Sequence, residues 1–496
     1  MDQIIKKLNT NGISIKQRKL ILQTLKKLLI ENKDKLANAL YNDLHKPVFE
    51  TNFMEINQVE HEINIHLDNM DSWLYDTKYI NPLKYINIAS SGYALSYVEN
   101  RPLGKVLIIG AWNYPINLSL MPFIGAISGG NSAMIVFPSN KYTEHTSRLL
   151  STLFNQYFIQ FPFIQTSIGG QENITKILTY KWDKIFYTGS SQVGKIIYQK
   201  AAETLTPVVL ELGGKSPCIV DESVNTLLIK RIVWGKFTNA GQTCISPDYF
   251  LVKKDYGPEF INLLIKTIKE FYGEFDHLIK YSPDYARIVN TKSFDRLINI
   301  LITDQTNIVY GGKTDKKTLY ISPTIINFKD NLELFLQSAA MKDEIFGPII
   351  PIYYYDNIND VRGILLKYKN PLTAYLFCKE PHTIGDTINS GSMVINDTLM
   401  QMNSPLPFGG VGASGMGSYH GKYSFDSFTY KKSVLQRFKW GELELRFPPY
   451  NIWWKKKIRG LSTMYVSNGS LLKCVSIGIA CVVCLKYLYS YLSLPS

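Results

Sequence analysis

Leucines recur at helical spacing near the start of the chain. Leu20, Leu22, Leu25, Leu28 and Leu29 stand between Lys and Gln residues, and Leu36, Leu40 and Leu44 continue the pattern. This predicts amphipathic helices over residues 1–75, packed by one face on a globular core. The period then changes. Tyr79 to Ala89 and Tyr93 to Val98 are β-rich runs around Ser90-Ser91-Gly92, the pattern of a hairpin. From Lys105 onward solid apolar runs alternate with helical stretches: Lys105 to Gly110, Ala133 to Phe137, Lys184 to Tyr187, Pro207 to Leu212 and Pro217 to Val220. Strands that are apolar on both sides and separated by helices predict a parallel sheet covered on both faces, hence an α/β fold. A second series of strands and helices runs from Phe250 to about Ser424.

The length of 496 residues and 45% apolar content suit a globular protein of several domains. The net charge of +13 is unevenly placed: residues 431–496 hold eleven basic and two acidic side chains, leaving the body near +4. A near-neutral body with a cationic end argues against a nucleic-acid-coated surface. Six cysteines in so long a chain are no disulfide framework and fit a reducing compartment. The N-terminus lacks the apolar core of a secretory signal, and no His/Cys group has metal-ligand spacing.

Three residues break the pattern around them. Cys244 lies among Gly, Asn, Thr and Pro in Asn239-Ala240-Gly241-Gln242-Thr243-Cys244-Ile245-Ser246-Pro247, a loop where backbone can approach a substrate. Deprotonated, such a thiol is a nucleophile; undisturbed, it is a structural cysteine. Glu211 interrupts the apolar strand Val208-Val209-Leu210-Glu211-Leu212. A carboxyl there should have a raised pKa, which suits a general base, although a core glutamate paired with Lys215 or a backbone amide is the plainer reading. Asn113 follows another buried strand, where its amide can stabilise an oxyanion or cap the loop. A cysteine protease would need a histidine partner, and none of the seven stands in a local motif with Cys244. Gly189-Ser190-Ser191-Gln192-Val193-Gly194 follows a strand and opens a helix, which suits a pyrophosphate, although it is not GxGxxG.

Together these segments resemble the NAD(P)-dependent aldehyde dehydrogenase superfamily, and within it the membrane-tethered fatty aldehyde dehydrogenases. The motifs are GAWNYP at 110–115, FYTGSSQVGK at 186–195, LELGGKSP at 210–217, NAGQTCISPDY at 239–249, DEIFGP at 343–348 and PFGGVGASGMGSYHGKYSFDSF at 407–428. The resemblance spans about Lys16 to Tyr450. It implies Cys244 as nucleophile, Glu211 as the base for hydrolytic water, and Asn113 with the Cys244 backbone N–H as the oxyanion site. It places Gly189, Ser190, Gly194 and Leu212 at the cofactor, Glu344 on the nicotinamide ribose and Phe346 near the ring.

The implied fold is a Rossmann-like cofactor domain (1–78 and 100–207), an α/β catalytic domain (208–424) and a small bridging β-sheet (79–99 and 425–448). A basic linker (449–470) and a C-terminal membrane helix (471–493) complete it. The expected activity is NAD(P)-dependent oxidation of medium- to long-chain fatty aldehydes to acids, in a homodimer. Glu211 favours hydrolysis over transfer of the acyl group to coenzyme A. A catalytically impaired membrane-bound homologue is the alternative, because one family position departs. Family members carry Lys-Pro-Ser-Glu where this chain has Phe137-Pro138-Ser139-Asn140, losing both groups that bind the adenosine ribose. NAD is slightly favoured over NADP, while Lys141 beside a neutral Asn140 leaves both open.

The tail carries Trp453-Trp454-Lys455-Lys456-Lys457, Arg459 and an uncharged run from Cys474 to Leu485, flanked by Lys473 and Lys486. Twelve residues are short for a span of ~20, but both lysines can snorkel and Tyr487, Tyr489 and Tyr491 suit an interfacial belt. An anchor with the catalytic body facing the cytosol is expected, as in an endoplasmic reticulum membrane; a surface-lying helix is the other reading.

Overall fold

The computed structural model describes residues 2–8, 12–76, 94–139, 141–222, 225–379, 385–403, 405–437, 447–453 and 456. The tail at 471–493, most of the linker, the run 79–93 and Asn140 lie outside the described residues. Among the described residues, no helix is long and apolar enough to cross a membrane.

Two sheets dominate. The first has five parallel strands, β1 (Lys105–Ile109), β2 (Ser132–Phe137), β3 (Ile164–Ile168), β4 (Lys184–Gly189) and β5 (Val208–Leu212), in the order β5-β4-β1-β2-β3. Gly415–Met416 adds an antiparallel edge to β5. Alternate side chains serve opposite faces, as the strand period requires. Val106, Ile108, Ala133, Ile135 and Phe137 pack under the helices Ile15–Glu31, Lys33–Leu44, Asn57–Trp73 and Asn117–Ser128. Leu107, Ile109, Met134 and Val136 face the other side with Ile177, Ile197 and Ala201. The N-terminal leucines are buried as their spacing predicts except Leu20, which faces solvent. β5 lies beyond the boundary drawn at residue 207, yet its partner is β4; sheet membership comes from a crossover and leaves no local pattern.

The second sheet contains β6 (Pro217–Val220), β7 (Tyr249–Lys253), β8 (Ile308–Tyr310), β9 (Thr324–Asn327), β10 (Ile349–Tyr355), β11 (Thr373–Phe377) and β12 (Ser392–Ile395). Its order is β8-β9-β10-β7-β6-β11-β12, parallel except for β8 against β9. A separate three-stranded sheet is formed by Tyr75–Asp76, Ala94–Pro102 and Thr429–Arg437.

In the first sheet the chain runs outward from β1 through β2 and β3, then returns to lay β4 on the other side of β1. The order reverses between β1 and β4, where open α/β sheets bind ligands beyond the carboxyl ends of the strands. Asn113 follows β1, Ser190 follows β4, and Glu211 is next to last in β5.

Candidate active site

The loop of the expected nucleophile, Cys244, owes its shape to a run of left-handed residues. After the helix Thr226–Phe237, Asn239 (φ 54°), Ala240 (φ 51°) and Gly241 (φ 74°) turn the chain sharply. Such angles are tolerated by Asn and Gly but strained for Ala, where they persist only because the surroundings enforce them. Here the Asn239 N–H donates to Glu50 (2.9 Å) and its side-chain amide to the Asn113 carbonyl (3.0 Å). The side-chain amide of Gln242 donates to the Asn239 carbonyl (3.0 Å) and to the Arg287 carbonyl (2.9 Å). A Cβ at Gly241 would collide with the Gly347 carbonyl, so the loop packs directly on the DEIFGP turn.

Cys244 stands two residues beyond Gln242, half-buried and free of any disulfide. Burial, reinforced by the nearby carboxylates of Glu211 and Glu344, pushes its thiol pKa well above the ordinary value. Glu211 is 1% exposed, and neither carboxylate oxygen has a well-formed hydrogen bond. Burial raises its pKa to about 7, while the Cys244 thiol and Thr188 hydroxyl pull it partly back. Lys215, offered by the sequence as its partner, is engaged elsewhere: it pairs with Asp248 and donates to the Ala340 and Asp343 carbonyls. The Asn113 side-chain amide donates to the Gln242 carbonyl (3.1 Å), which ties the β1 loop to the nucleophile loop and leaves a second N–H. Cys244, Glu211 and Asn113 are thus brought to one place from three separate loops and strands.

A cleft opens at Cys244. Its walls are mostly apolar, with Leu118, Ile245, Met402, Phe408 and the rings of Tyr114 and Tyr419, and His420 lies beside them. Burial lowers His420 to about 4, so this histidine is a neutral wall stacked on Phe408 (5.3 Å) and not a base.

The expected cofactor residues flank the same place. Ser190 caps the helix Ser191–Ala202, its hydroxyl accepting from the Val193 N–H, and the helix N-terminus is exposed. A Cβ at Gly194 would lie 2.8 Å from Leu212, so this helix seats closely on β5. An open N-terminus held there fits a pyrophosphate. The Glu344 carboxyl lies against Gly213 and accepts from the Gly214 N–H. Burial and the neighbouring Asp248 raise its pKa to about 8. Phe346 meets Trp112 edge-on (5.5 Å), and Trp112 stacks on Tyr142 (5.7 Å). The site therefore fits a dinucleotide. Phe137, at the departure from the family pattern, is fully buried against Phe154.

The profile of the aldehyde dehydrogenase family matches residues 7–434. The chain belongs to the aldehyde dehydrogenase family. It is similar to 4,4'-diaponeurosporen-aldehyde dehydrogenase of Staphylococcus aureus, 42% identical over 446 residues, 89% of this chain and 93% of that protein. It is 40% identical to aldehyde dehydrogenase family 3 member A2 of Pongo abelii over 435 residues, 86% of each chain. A solved structure of Staphylococcus aureus AldH in its substrate-bound state, 39% identical, matches with a TM-score of 0.85 over 94% of this chain and 99% of that one. This aldehyde dehydrogenase is an NAD(P)-dependent enzyme, as its family is. Sequence reasoning missed the groups behind its site: Lys46, Glu50 and Glu55 are all buried and bonded to the two loops just described.

Proposed function

We propose that the enzyme oxidises apolar aldehydes, foremost medium- to long-chain ones, to carboxylic acids, with Cys244 as nucleophile, Glu211 as base and Asn113 as oxyanion donor. The Cys244 thiol gives up its proton to solvent, and its sulfur bonds to the carbonyl carbon as the C=O double bond opens. The carbonyl oxygen becomes an oxyanion, held by the free N–H of the Asn113 side chain and the Cys244 backbone N–H. A bound nicotinamide supplies the acceptor for the hydride that leaves this carbon. Gly189, Ser190, Gly194 and Leu212 would border the pyrophosphate, Glu344 would hold the nicotinamide ribose and Phe346 would pack near the ring. Glu211 then takes a proton from water, whose oxygen bonds to the thioester carbon. The S–C bond breaks, the acid leaves and Glu211 passes its proton to the departing sulfur, restoring the thiol.

The observation that carries this reading is the buried carboxyl of Glu211 beside the Cys244 thiol, met only loosely by that thiol and the Thr188 hydroxyl. Such a group is strongly unfavourable in a fold and collects at functional sites. The apolar cleft supports the substrate class, as does a relative named for diaponeurosporen aldehyde. In Glu211→Gln, mixing with aldehyde and coenzyme should give one burst of NAD(P)H per site, then almost no turnover, with the acyl group on Cys244 by mass. Unchanged steady turnover would reject the assignment. Cys244→Ala should show neither burst nor turnover.

Residues 471–493 are proposed to anchor the enzyme in a membrane with its body on the cytosolic side. Support comes from the uncharged run 474–485 and the basic cluster Lys455, Lys456, Lys457 and Arg459 before it. The full chain should pellet with membranes while a chain ending at residue 446 stays in the supernatant; identical behaviour would refute the anchor. A homodimer belongs to the same proposal and rests on the family resemblance.

A further inference from the structure

The segment between the helices Lys33–Leu44 and Asn57–Trp73 carries three charges that the reaction does not use. It runs through a short helical turn, Val48–Glu50, into a π-helix, Thr51–Ile56. Lys46 and Glu55 are fully buried and Glu50 nearly so. Every polar bond they make runs to one another or to the loops that frame the nucleophile. The Lys46 ammonium pairs with Glu55 (2.6 Å), donates to the Asn113 carbonyl (2.7 Å) and sits 4.1 Å over the Tyr114 ring. The other Glu55 oxygen accepts the N–H groups of Ile116 (2.8 Å) and Asn117 (3.3 Å). Glu50 accepts the Asn239 N–H, and the Asn239 amide returns to the same Asn113 carbonyl.

Buried ion pairs are poor stabilisers, because the loss of hydration offsets most of the attraction. What they do supply is a fixed geometry. π-helical turns are rare and gather at functional sites. Here the wide turn sets two carboxylates five residues apart, one on each loop.

We propose that Lys46 is a positioning residue of the reaction. With Glu55 and Glu50 it fixes the Asn113 peptide from behind, and so aims the Asn113 side-chain amide at the oxyanion. This rests on reading Asn113 as the oxyanion donor. Lys46 does not touch the cleft, and its effect passes through Asn113. Displacing a catalytic group by ~1 Å can slow a reaction a hundredfold.

The test is a double-mutant cycle in the full-length enzyme, with Lys46→Met and Asn113→Ala alone and together. It reads the NAD(P)H burst rate, coenzyme affinity, and alkylation of Cys244 by iodoacetamide, which builds no oxyanion. Lys46→Met should slow the burst about tenfold or more, leaving coenzyme affinity and alkylation within about twofold. In the Asn113→Ala background the same change should slow the burst by less than about twofold further. Equal losses with and without Asn113, or parallel losses of burst and alkylation, would overturn the proposal and leave a merely structural ion pair. If Lys46→Met does not fold, Glu55→Gln keeps the shape and removes one charge; its smaller loss must also vanish without Asn113. Asn113→Ala with an unchanged burst would instead reject the assignment of Asn113 itself.

Discussion

The carboxyl of Glu211 makes a prediction about stability that is independent of turnover. In the unfolded chain it ionises near 4.5, and burial in the folded protein raises this to about 7. At about 1.4 kcal/mol per pH unit, the ionised form costs the folded state about 3 kcal/mol. The sign follows from the direction. A raised carboxyl pKa leaves stability intact below 4.5, and that stability is lost as pH rises through about 7. Glutamine never ionises, and its amide can keep the contact with the Thr188 hydroxyl. Glu211→Gln should therefore gain about 3 kcal/mol at pH 8 but only about 1 kcal/mol at pH 5.5, where little of the native carboxyl is ionised. With an unfolding entropy of about 2 cal/mol/K per residue, these gains mean about 3 °C and 1 °C in melting temperature. Thermal scans of both proteins at one heating rate and two pH values measure it. No gain at pH 8, or the same gain at both pH values, would refute the argument that an uncompensated charge sits there.

With Glu211 as the proposed base, the same midpoint should govern hydrolysis: the deacylation rate should rise with pH about tenfold between pH 6 and 8 and level off, as single-turnover acid release would show. Two glycines separate binding from folding. A methyl at Gly213 first meets the carboxyl end of the Glu344 side chain and no backbone atom among its nearest neighbours. Gly213→Ala should weaken coenzyme binding in calorimetric titration and change stability by less than about 1 kcal/mol. A methyl at Gly241 meets the Gly347 backbone at φ 74°. Gly241→Ala should lower unfolding free energy by at least about 1 kcal/mol and slow Cys244 alkylation, because the loop must move.

Much of the fold was legible because burial on both faces leaves an unmistakable trace. Val106 to Ile109 and Ala133 to Phe137 are apolar without alternation, and the structure surrounds them with core on two sides. Short edges were not legible: Gly415–Met416 is too brief to show any period, and its pairing with Glu211 and Leu210 is set by a return of the chain from two hundred residues away. Leu20 misled for a related reason, since spacing alone does not fix where an apolar stripe ends.

The catalytic candidates could be read because each contradicts its surroundings. A carboxylate among valines and leucines and a lone thiol among glycine and asparagine are visible without coordinates. Lys46, Glu50 and Glu55 contradict nothing. They lie in a stretch of amphipathic helices where charges are expected on the solvent side, so the pattern files them as surface. Their separation hides them further. Residues five apart diverge on an α-helix, and only the π-helical turn lets Glu50 and Glu55 serve adjacent loops. The groups that hold an active site in shape are therefore the harder ones to read, because their chemistry is ordinary and only their burial is not. A charge in a helical segment gains meaning when its partner proves to be the backbone of a loop proposed to be catalytic, as the Asn113 carbonyl is for Lys46.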